Sequence, residues 1–200
     1  SRIGPFRMAA FTMAVGGLIV LAIALPRGHI WQAESDGLWL SILMGLAYGI
    51  GMATLFKAFS FGPISLVGPI TASYPALIVV WGLLHGLAPS ALQWAAIAAV
   101  LAGALTVART GPADGGINAV ARKDVVPLFI CCFICMVAYG TAVVLAQNAT
   151  VHLGEYEVTA LSRPFSVAVL IPFLSGEAKP LPLERRHWLG IGAMALLDVI

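Results

Sequence analysis

Charged residues are scarce in this chain: nine acidic and eleven basic side chains make up only 10% of its 200 residues. The formal net charge of +2 is too small for a basic surface that binds nucleic acid, so we expect no nucleic-acid partner. Apolar residues make up 60% of the chain, well above the roughly 45–50% of average soluble proteins. These values predict an all-α integral membrane protein that crosses the lipid bilayer many times.

Cysteine is also rare, and its three copies, Cys131, Cys132 and Cys135, lie within one apolar stretch. An odd number of thiols at membrane depth does not predict a disulfide framework. A metal site would need more ligands than one helix face offers, so we interpret these thiols as small apolar filler. No Ser-His-acid set, metal-ligand spacing or phosphate loop occurs in the sequence. We therefore predict no enzyme activity, no metal site and no cofactor.

Seven apolar stretches dominate the sequence, and a membrane span needs about 20 mostly apolar residues. Six stretches are long enough, and they predict spans at 8–25, 38–56, 62–84, 90–107, 125–146 and 158–175. The seventh, 188–200, is too short to cross a bilayer and is still apolar at Ile200. Ser1 is not an initiator methionine. Because the last apolar stretch is incomplete, we expect a fragment with residues missing after Ile200. The first residue suggests that residues are also missing before Ser1.

The segment 108–124 is the longest glycine-rich connection, and it is predicted to link two helical bundles. Lys and Arg favour alternate connections, and this linker carries Arg109, Arg122 and Lys123. The positive-inside rule therefore places the linker in the cytoplasm.

The second span contains Gly45 and Gly49 in a small-xxx-small arrangement that lets helices approach closely. Tyr48 lies on the same helix face. We favour a packing seam as the interpretation of the two glycines. Tyr48 is a candidate for a hydroxyl that points into a cavity.

The third span is not a plain hydrophobic helix. Pro69 and Pro75 each remove a backbone donor and strain the preceding turn, and Thr71, Ser73 and Tyr74 supply hydroxyl groups between and beside them. Freed carbonyl groups at membrane depth are tolerated where protein, a Ser or Thr hydroxyl or water satisfies them. Two interpretations stay open: a kink that is repaired locally, and an irregular helix that lines a substrate path.

Few charged side chains fall within the predicted spans. Arg163, near the start of the sixth span, either reaches the interface with its long side chain or faces the bundle, where it would hold a carboxylate. Asp198 is the one carboxylate inside a predicted apolar stretch, and it is a candidate for ion coupling unless it lies at an interface. Tyr139 is a weaker pore-lining candidate.

Three segments together carry a resemblance to a known family. They are Phe-Lys-Ala-Phe-Ser-Phe-Gly-Pro at 56–63, Gly-Pro-Ile-Thr-Ala-Ser-Tyr-Pro-Ala-Leu at 68–77, and Gly-Ala-Leu-Thr-Val at 103–107 after Gln93 and Ala98. The chain resembles the EamA type of the drug/metabolite transporter superfamily, in which a repeat of five helices occurs twice. The resemblance implies an inverted repeat of two five-helix halves, incomplete here at both ends and covering about helices 2 to 8 of ten.

The resemblance also implies domain boundaries and departures from the family pattern. Most of the first repeat would occupy 1–107, followed by the linker 108–124 and the start of the second repeat at 125–200. Arg163, and either Arg2 or Arg7, match the arginine that recurs near the second helix of each repeat. Leu87 stands where the family usually has an acidic residue. Many relatives keep the linker outside the cytoplasm, whereas the charge pattern places it inside.

These observations predict a secondary transporter that moves a small metabolite across the bacterial inner membrane by alternating access. The expected solute is an amino acid or a drug-like molecule, and the expected direction is export. The candidate solute-binding residues are Tyr48, Thr71, Ser73, Tyr74, Tyr139 and Arg163, and the helix-shaping residues are Pro69, Pro75, Gly45 and Gly49.

Two alternatives accompany this prediction. The runner-up is a non-transporting membrane scaffold or assembly subunit, whose glycine and alanine seams serve only packing. A homodimer would be required if Ser1 and Ile200 were natural ends, because one chain would then hold an incomplete pore.

Overall fold

The structure, a computed structural model, describes residues 5–27, 35–110 and 120–174, and the regular elements within them are helices. The α-helices in these residues are α1 (Pro5–Ala24), α2 (Ser35–Phe59), α3 (Ile64–Thr71), α4 (Tyr74–Leu84), α5 (Ala91–Thr110), α6 (Val125–His152) and α7 (Glu155–Leu174). A short 3₁₀ turn, Leu25–Arg27, follows α1.

Five stretches of the described chain are long and apolar enough to cross a bilayer: Phe6–Ala24, Ser35–Phe59, Ile64–Leu84, Val125–His152 and Glu155–Leu174. Each coincides with one predicted span, and the third contains both α3 and α4. The predicted span 90–107 corresponds to α5. Its apolar part, Ala91–Val100, is shorter than the other five stretches. The run 188–200 lies outside the described residues. The protein is therefore an all-α, multi-pass membrane protein.

Local sequence explains where two of the helices begin and end. Helix α2 has Asp36 in its first turn and Lys57 in its last, which suits the direction of the helix dipole. Helix α5 begins with a capping box: the Gln93 amide donates to Ser90 Oγ at 3.3 Å, and the Ser90 amide donates to Gln93 Oε1 at 2.8 Å. These contacts satisfy amide groups that the first helical turn leaves without partners.

Packing divides the chain into two compact units. The first contains the described residues up to Ala53 and those from Ala142 onward, and the second contains Thr54–Thr141. Helices α2 and α6 each contribute residues to both units. The domain boundaries expected from the resemblance, at 107 and 125, follow repeats along the chain and stay a prediction.

In the first unit, α1 packs along α7 in the opposite direction. Phe6 stacks on Phe173 with the ring centroids 5.2 Å apart. At the other end of α1, Val20 and Ala24 pack on Ala160. Early residues of α1 therefore meet late residues of α7. This antiparallel course is the direction that an inverted repeat requires of these two helices.

Helix α2 meets α7 along a seam of two glycines. A Cβ added at Gly45 would collide with the carbonyl oxygen of Ser162, and one added at Gly49 would lie 2.9 Å from the carbonyl oxygen of Ser166. Ser166 Oγ donates a hydrogen bond of 2.9 Å to the Gly45 carbonyl. Because the residue numbers rise together, α2 runs parallel to α7. The two glycines thus let side chains and backbone of α7 reach the backbone of α2.

The second unit has an apolar core of its own, formed by Ala58, Val67, Val120, Leu128 and Cys132. Cys132 and Cys135 are fully buried and Cys131 is partly buried, and all three are free thiols. Free cysteine behaves as a small apolar residue at such positions.

The glycine seam generates a test of the fold. Gly45→Ala is expected to lower the unfolding free energy by about 1–3 kcal/mol, the usual cost of overpacking, because its methyl group would press on the Ser162 carbonyl. Gly103→Ala inside α5 is the matched control, since nothing but its own chain neighbours and helix backbone lies within 4 Å of a Cβ at that position. Alanine is favoured over glycine inside a helix by about 0.5–1 kcal/mol, so this control should keep or gain stability.

Thermal unfolding in detergent micelles, followed by circular dichroism, measures both variants. The midpoint should fall for Gly45→Ala and stay level or rise for Gly103→Ala. Equal midpoints for the two variants would contradict close contact between α2 and α7.

Candidate functional site

Arg163 lies in the middle of an apolar helix. It is the ninth residue of α7, so at 1.5 Å per residue it stands about 12 Å from the first residue of the helix. The side chain is only 9% exposed. The sequence left two positions open for this side chain, the membrane interface and the interior of the helical bundle. In the structure it lies in the interior. The predicted span at 158–175 begins three residues late, which made Arg163 look closer to the helix end than it is.

Gly17 of α1 provides the room for the arginine. A Cβ added at Gly17 would lie 2.9 Å from Arg163 Cβ and 3.4 Å from Arg163 Cγ. Any other residue at position 17 would therefore press on the arginine side chain. The apolar run around Gly17 carries no sign of a partner on another helix, so the sequence alone offered no signal for this contact.

Tyr48 of α2 contacts the charged end of the same side chain. The Arg163 Cζ atom lies 5.6 Å from the centroid of the Tyr48 ring, within the distance of about 6 Å over which the face of an aromatic ring attracts a cation. Two of the residues that the sequence nominated for solute binding therefore lie together in the first unit. The ring face helps to stabilise a cation at a depth where water is scarce.

The third span is interrupted, as Pro69 and Pro75 predict. Helix α3 ends at Thr71, and α4 begins at Tyr74 with Pro75 in its first turn. Thr71 Oγ1 lies 2.9 and 3.1 Å from two carbonyl oxygens in the preceding turn, and Ser73 Oγ donates to the Pro69 carbonyl at 2.9 Å. The hydroxyls of the span thus satisfy its own backbone, which is the local repair that one of the two interpretations requires.

Two tyrosines of the second unit lie side by side. The rings of Tyr74, at the start of α4, and Tyr139, in α6, have their centroids 6.0 Å apart and are inclined by 54°. Gly140 brings α6 close to α4, since a Cβ at this position would lie 3.7 Å from Leu77 Cβ. The structure therefore brings Tyr74 together with Tyr139, as it brings Tyr48 together with Arg163.

A small cavity lies between the break in the third span and α5. Its volume is about 200 Å³, and its lining residues are Ser73, Pro75, Ala76, Ala96, Ile97 and Val100. Sites for drug-sized ligands commonly measure about 300–1,000 Å³, so this cavity would hold only part of such a molecule. The Ser73 hydroxyl is already bonded to the Pro69 carbonyl. The cavity is therefore suited to an apolar group.

Glu157 is a candidate that the sequence patterns missed. It lies in the first turn of α7, it is 2% exposed, and its Oε1 atom has no hydrogen-bond partner among the residues that the structure describes. The observed helix α7 begins at Glu155 and includes Glu157, so it carries a carboxylate that the predicted span 158–175 leaves out. Asp198 itself lies outside the described residues.

The position of Glu157 is energetically unusual. A helix N-terminus stabilises a carboxylate by typically 0.3–1 kcal/mol, and by up to about 2 kcal/mol where partly buried. Taking an ionised group out of water costs several kcal/mol. The helix dipole alone therefore does not account for a carboxylate at this degree of burial.

The sequence also matches a family of known activity. The sequence model of the EamA-like transporter family matches residues 1–109, which is more than half of the chain. The chain belongs to this family. Comparisons with curated proteins and with solved structures gave no match.

Membership in the EamA-like transporter family gives the protein its general activity and partners. It is a membrane transporter of small solutes. Its partners are therefore the lipid bilayer and a small solute. The family match includes Tyr48, Thr71, Ser73 and Tyr74. Arg163, Tyr139 and Glu157 lie beyond the matched residues, so their roles depend on the geometry of this chain.

The contact between Arg163 and Tyr48 generates a second test. Tyr48→Leu is expected to lower the unfolding free energy by about 0.5–2 kcal/mol, since leucine fills space but has no ring face for the guanidinium. Tyr48→Phe keeps the ring face and should lose less. Chemical unfolding in mixed micelles measures both variants. A leucine variant as stable as the phenylalanine variant would show that the ring does not stabilise the cation.

Proposed function

We propose that this EamA-family protein is a secondary transporter that moves a small metabolite across the bacterial inner membrane by alternating access. The observation that carries the proposal is Arg163, a cation that is 9% exposed halfway along an apolar helix. Charged side chains at this depth are costly, and where they occur they mark solute and ion pathways. An uncharged side chain would serve packing at this position at lower cost.

The proposed solute has an acidic group and an apolar part, as an amino acid or a drug-like metabolite has. The guanidinium group presents its donors in a planar fork that matches a carboxylate, and the Tyr48 ring supports it from one side. The second unit, taken by itself, has aromatic and apolar surfaces at the Tyr74–Tyr139 pair and at the cavity beside Pro75, and these suit an apolar group. Export is the direction that we propose.

The break between α3 and α4 supports a role in the transport cycle. Alternating access moves one helical repeat against the other around a binding site, and interrupted helices recur at such sites. Pro69 and Pro75 limit the backbone hydrogen bonds across the break, while Thr71 and Ser73 bond the carbonyls that are left. The span therefore has a defined place at which it can bend without exposing polar backbone to lipid.

A non-transporting scaffold is the alternative function, and one observation favours it. The seam of Gly45 and Gly49 on α7 is a packing device that a scaffold would also need. A charged side chain within a membrane span, by contrast, marks solute and ion pathways. Arg163 therefore makes transport the better supported of the two functions.

Flux into or out of proteoliposomes tests this proposal. The purified chain is screened with radiolabelled amino acids and with fluorescent amphipathic acids, first alone and then as the double variant Arg163→Ala with Tyr74→Phe. We expect the double variant to transport about tenfold to a hundredfold less, which corresponds to losing a charged hydrogen bond of about 1.5–3 kcal/mol.

Phe133→Leu is the matched control for expression and insertion, because Phe133 is 62% exposed on the outside of α6 and belongs to no candidate site. Its flux should equal that of the unaltered chain. Flux that is unchanged in the double variant would overturn the assignment of Arg163 and Tyr74 to the solute path. No flux of any solute by the unaltered chain would favour the scaffold.

A further inference from the structure

The cavity beside the broken third span lies at the middle depth of the membrane. Ser73, which lines the cavity, belongs to the membrane-spanning stretch Ile64–Leu84. At 1.5 Å per residue, Ser73 stands about 14 Å from Ile64, and the hydrocarbon core of a bilayer is about 30 Å thick. The cavity is therefore near the centre of the bilayer, where the ends of the lipid acyl chains meet.

The cavity arises where the third span is interrupted beside α5. Within the described residues, α5 packs on α3 more closely than on α4. Helix α3 ends at Thr71, and α4 begins at Tyr74. Two alanines, Ala76 of α4 and Ala96 of α5, line the space between the helices. Because neither has a long side chain, a volume of about 200 Å³ stays open.

The polar groups at the wall of the cavity already bond to one another. Ser73 Oγ donates to the Pro69 carbonyl at 2.9 Å, and the Ala76 amide donates to the Ser73 carbonyl at 3.0 Å. Pro75 has no amide hydrogen. A buried water needs two to four polar partners, and an apolar cavity of about 150 Å³ engineered in another protein stays dry and binds benzene or xenon. The occupant that suits this cavity is therefore apolar.

The cavity can be reached from the lipid side of α5. Of its lining residues, Val100 is 50% exposed and Ala96 is exposed as well. Exposed apolar side chains of a membrane helix face acyl chains, which are as apolar as leucine.

The Tyr74–Tyr139 pair lies on another face of α4. Successive residues of a helix point in directions about 100° apart. Ala76 lines the cavity, whereas the next residue, Leu77, lies close to Gly140 of α6, as does the Tyr74 carbonyl. A lipid tail therefore reaches the cavity without passing the paired tyrosines.

We propose that this cavity binds the end of a lipid acyl tail. The tail fills the space between the break and α5, where an empty cavity would leave the lining atoms without contacts. The apolar part of a solute has the same chemistry. Exposure on the α5 side and separation from the tyrosine pair favour the lipid. The lipid site stands on this geometry and does not rest on the proposed transport function.

Photolabelling tests the proposal on the unaltered chain in vesicles of dioleoylphosphatidylcholine. The vesicles contain a phosphatidylcholine with a diazirine near the methyl end of one acyl chain. Illumination releases nitrogen, the carbene inserts into a neighbouring bond, and peptide mass spectrometry locates the label. Ile78 is the internal reference, since it lies on the same helix and is half-buried like Ala76 but does not line the cavity. We expect several times more label on Ala76 than on Ile78.

Two matched variants control the experiment. Ala96→Leu fills the cavity and should lower the label on Ala76 roughly tenfold, the change that corresponds to losing about 1.4 kcal/mol of binding free energy. Ala98→Leu is the same substitution at an exposed position of α5 that does not line the cavity, and it should leave the label unchanged. Circular dichroism checks that both variants are folded.

A depth comparison on the unaltered chain decides if Ala96→Leu does not fold. A phosphatidylcholine with its diazirine next to the headgroup should label Leu84, which is 77% exposed at the end of α4, and should not label Ala76. The lipid with the diazirine at the end of its tail should label Ala76.

Four results would overturn the proposal. Equal label on Ala76 and Ile78, or an equal loss of label in the two variants, would show that the cavity holds no tail. Label on Ala76 from the headgroup diazirine would place the cavity at another depth. Loss of the Ala76 label on adding an amphipathic acid, with the label on Leu84 unchanged, would assign the cavity to a solute. The labelling involves no transport assay, so its outcome is independent of the flux screen.

Discussion

The bilayer offers no hydrogen-bond partner to a charge or to a backbone carbonyl, so the first unit depends on how closely other helices approach α7. Gly17 of α1 leaves room for the stem of Arg163, and Gly45 of α2 lies against the backbone of α7. The same approach lets the Ser166 hydroxyl reach the Gly45 carbonyl at 2.9 Å. Close helix contact, made possible by glycine, thus takes the place of water around these polar groups. The Tyr48 ring lies beside the cation.

Much of the helix arrangement follows from the sequence, because apolar length and the scarcity of charge are read directly from composition. The break after Thr71 follows from Pro69 and Pro75, whose missing amide groups interrupt any helix. The start of α7 does not follow in this way. Its first turn contains Glu155 and Glu157, so hydropathy alone begins the span at position 158. That error of three residues hid Glu157 and placed Arg163 too near the interface.

Helical periodicity tells which residues of one helix share a face, but not which helix that face meets. The face shared by Gly45 and Tyr48 was therefore predictable, whereas its contact with Ser162 and Arg163 was not. The same limit applies to Tyr74 and Tyr139, which were nominated separately and lie 6.0 Å apart, centroid to centroid, in the second unit. A helix commonly extends past the apolar run that identifies it. A carboxylate just outside such a run can therefore belong to the helix, as Glu157 does.

The position of the Arg163 guanidinium group in a lipid bilayer is the most direct test of this account. Solid-state NMR of the chain in lipid bilayers, with ¹³C-labelled arginine and tyrosine, measures the distance from Arg163 Cζ to the Tyr48 ring. Tyr48→Phe identifies the signal. The account predicts a distance near 5.6 Å and no transfer from lipid ³¹P to Arg163. Strong ³¹P transfer, with no contact to Tyr48, would place the guanidinium group among the lipid headgroups and contradict a buried cation.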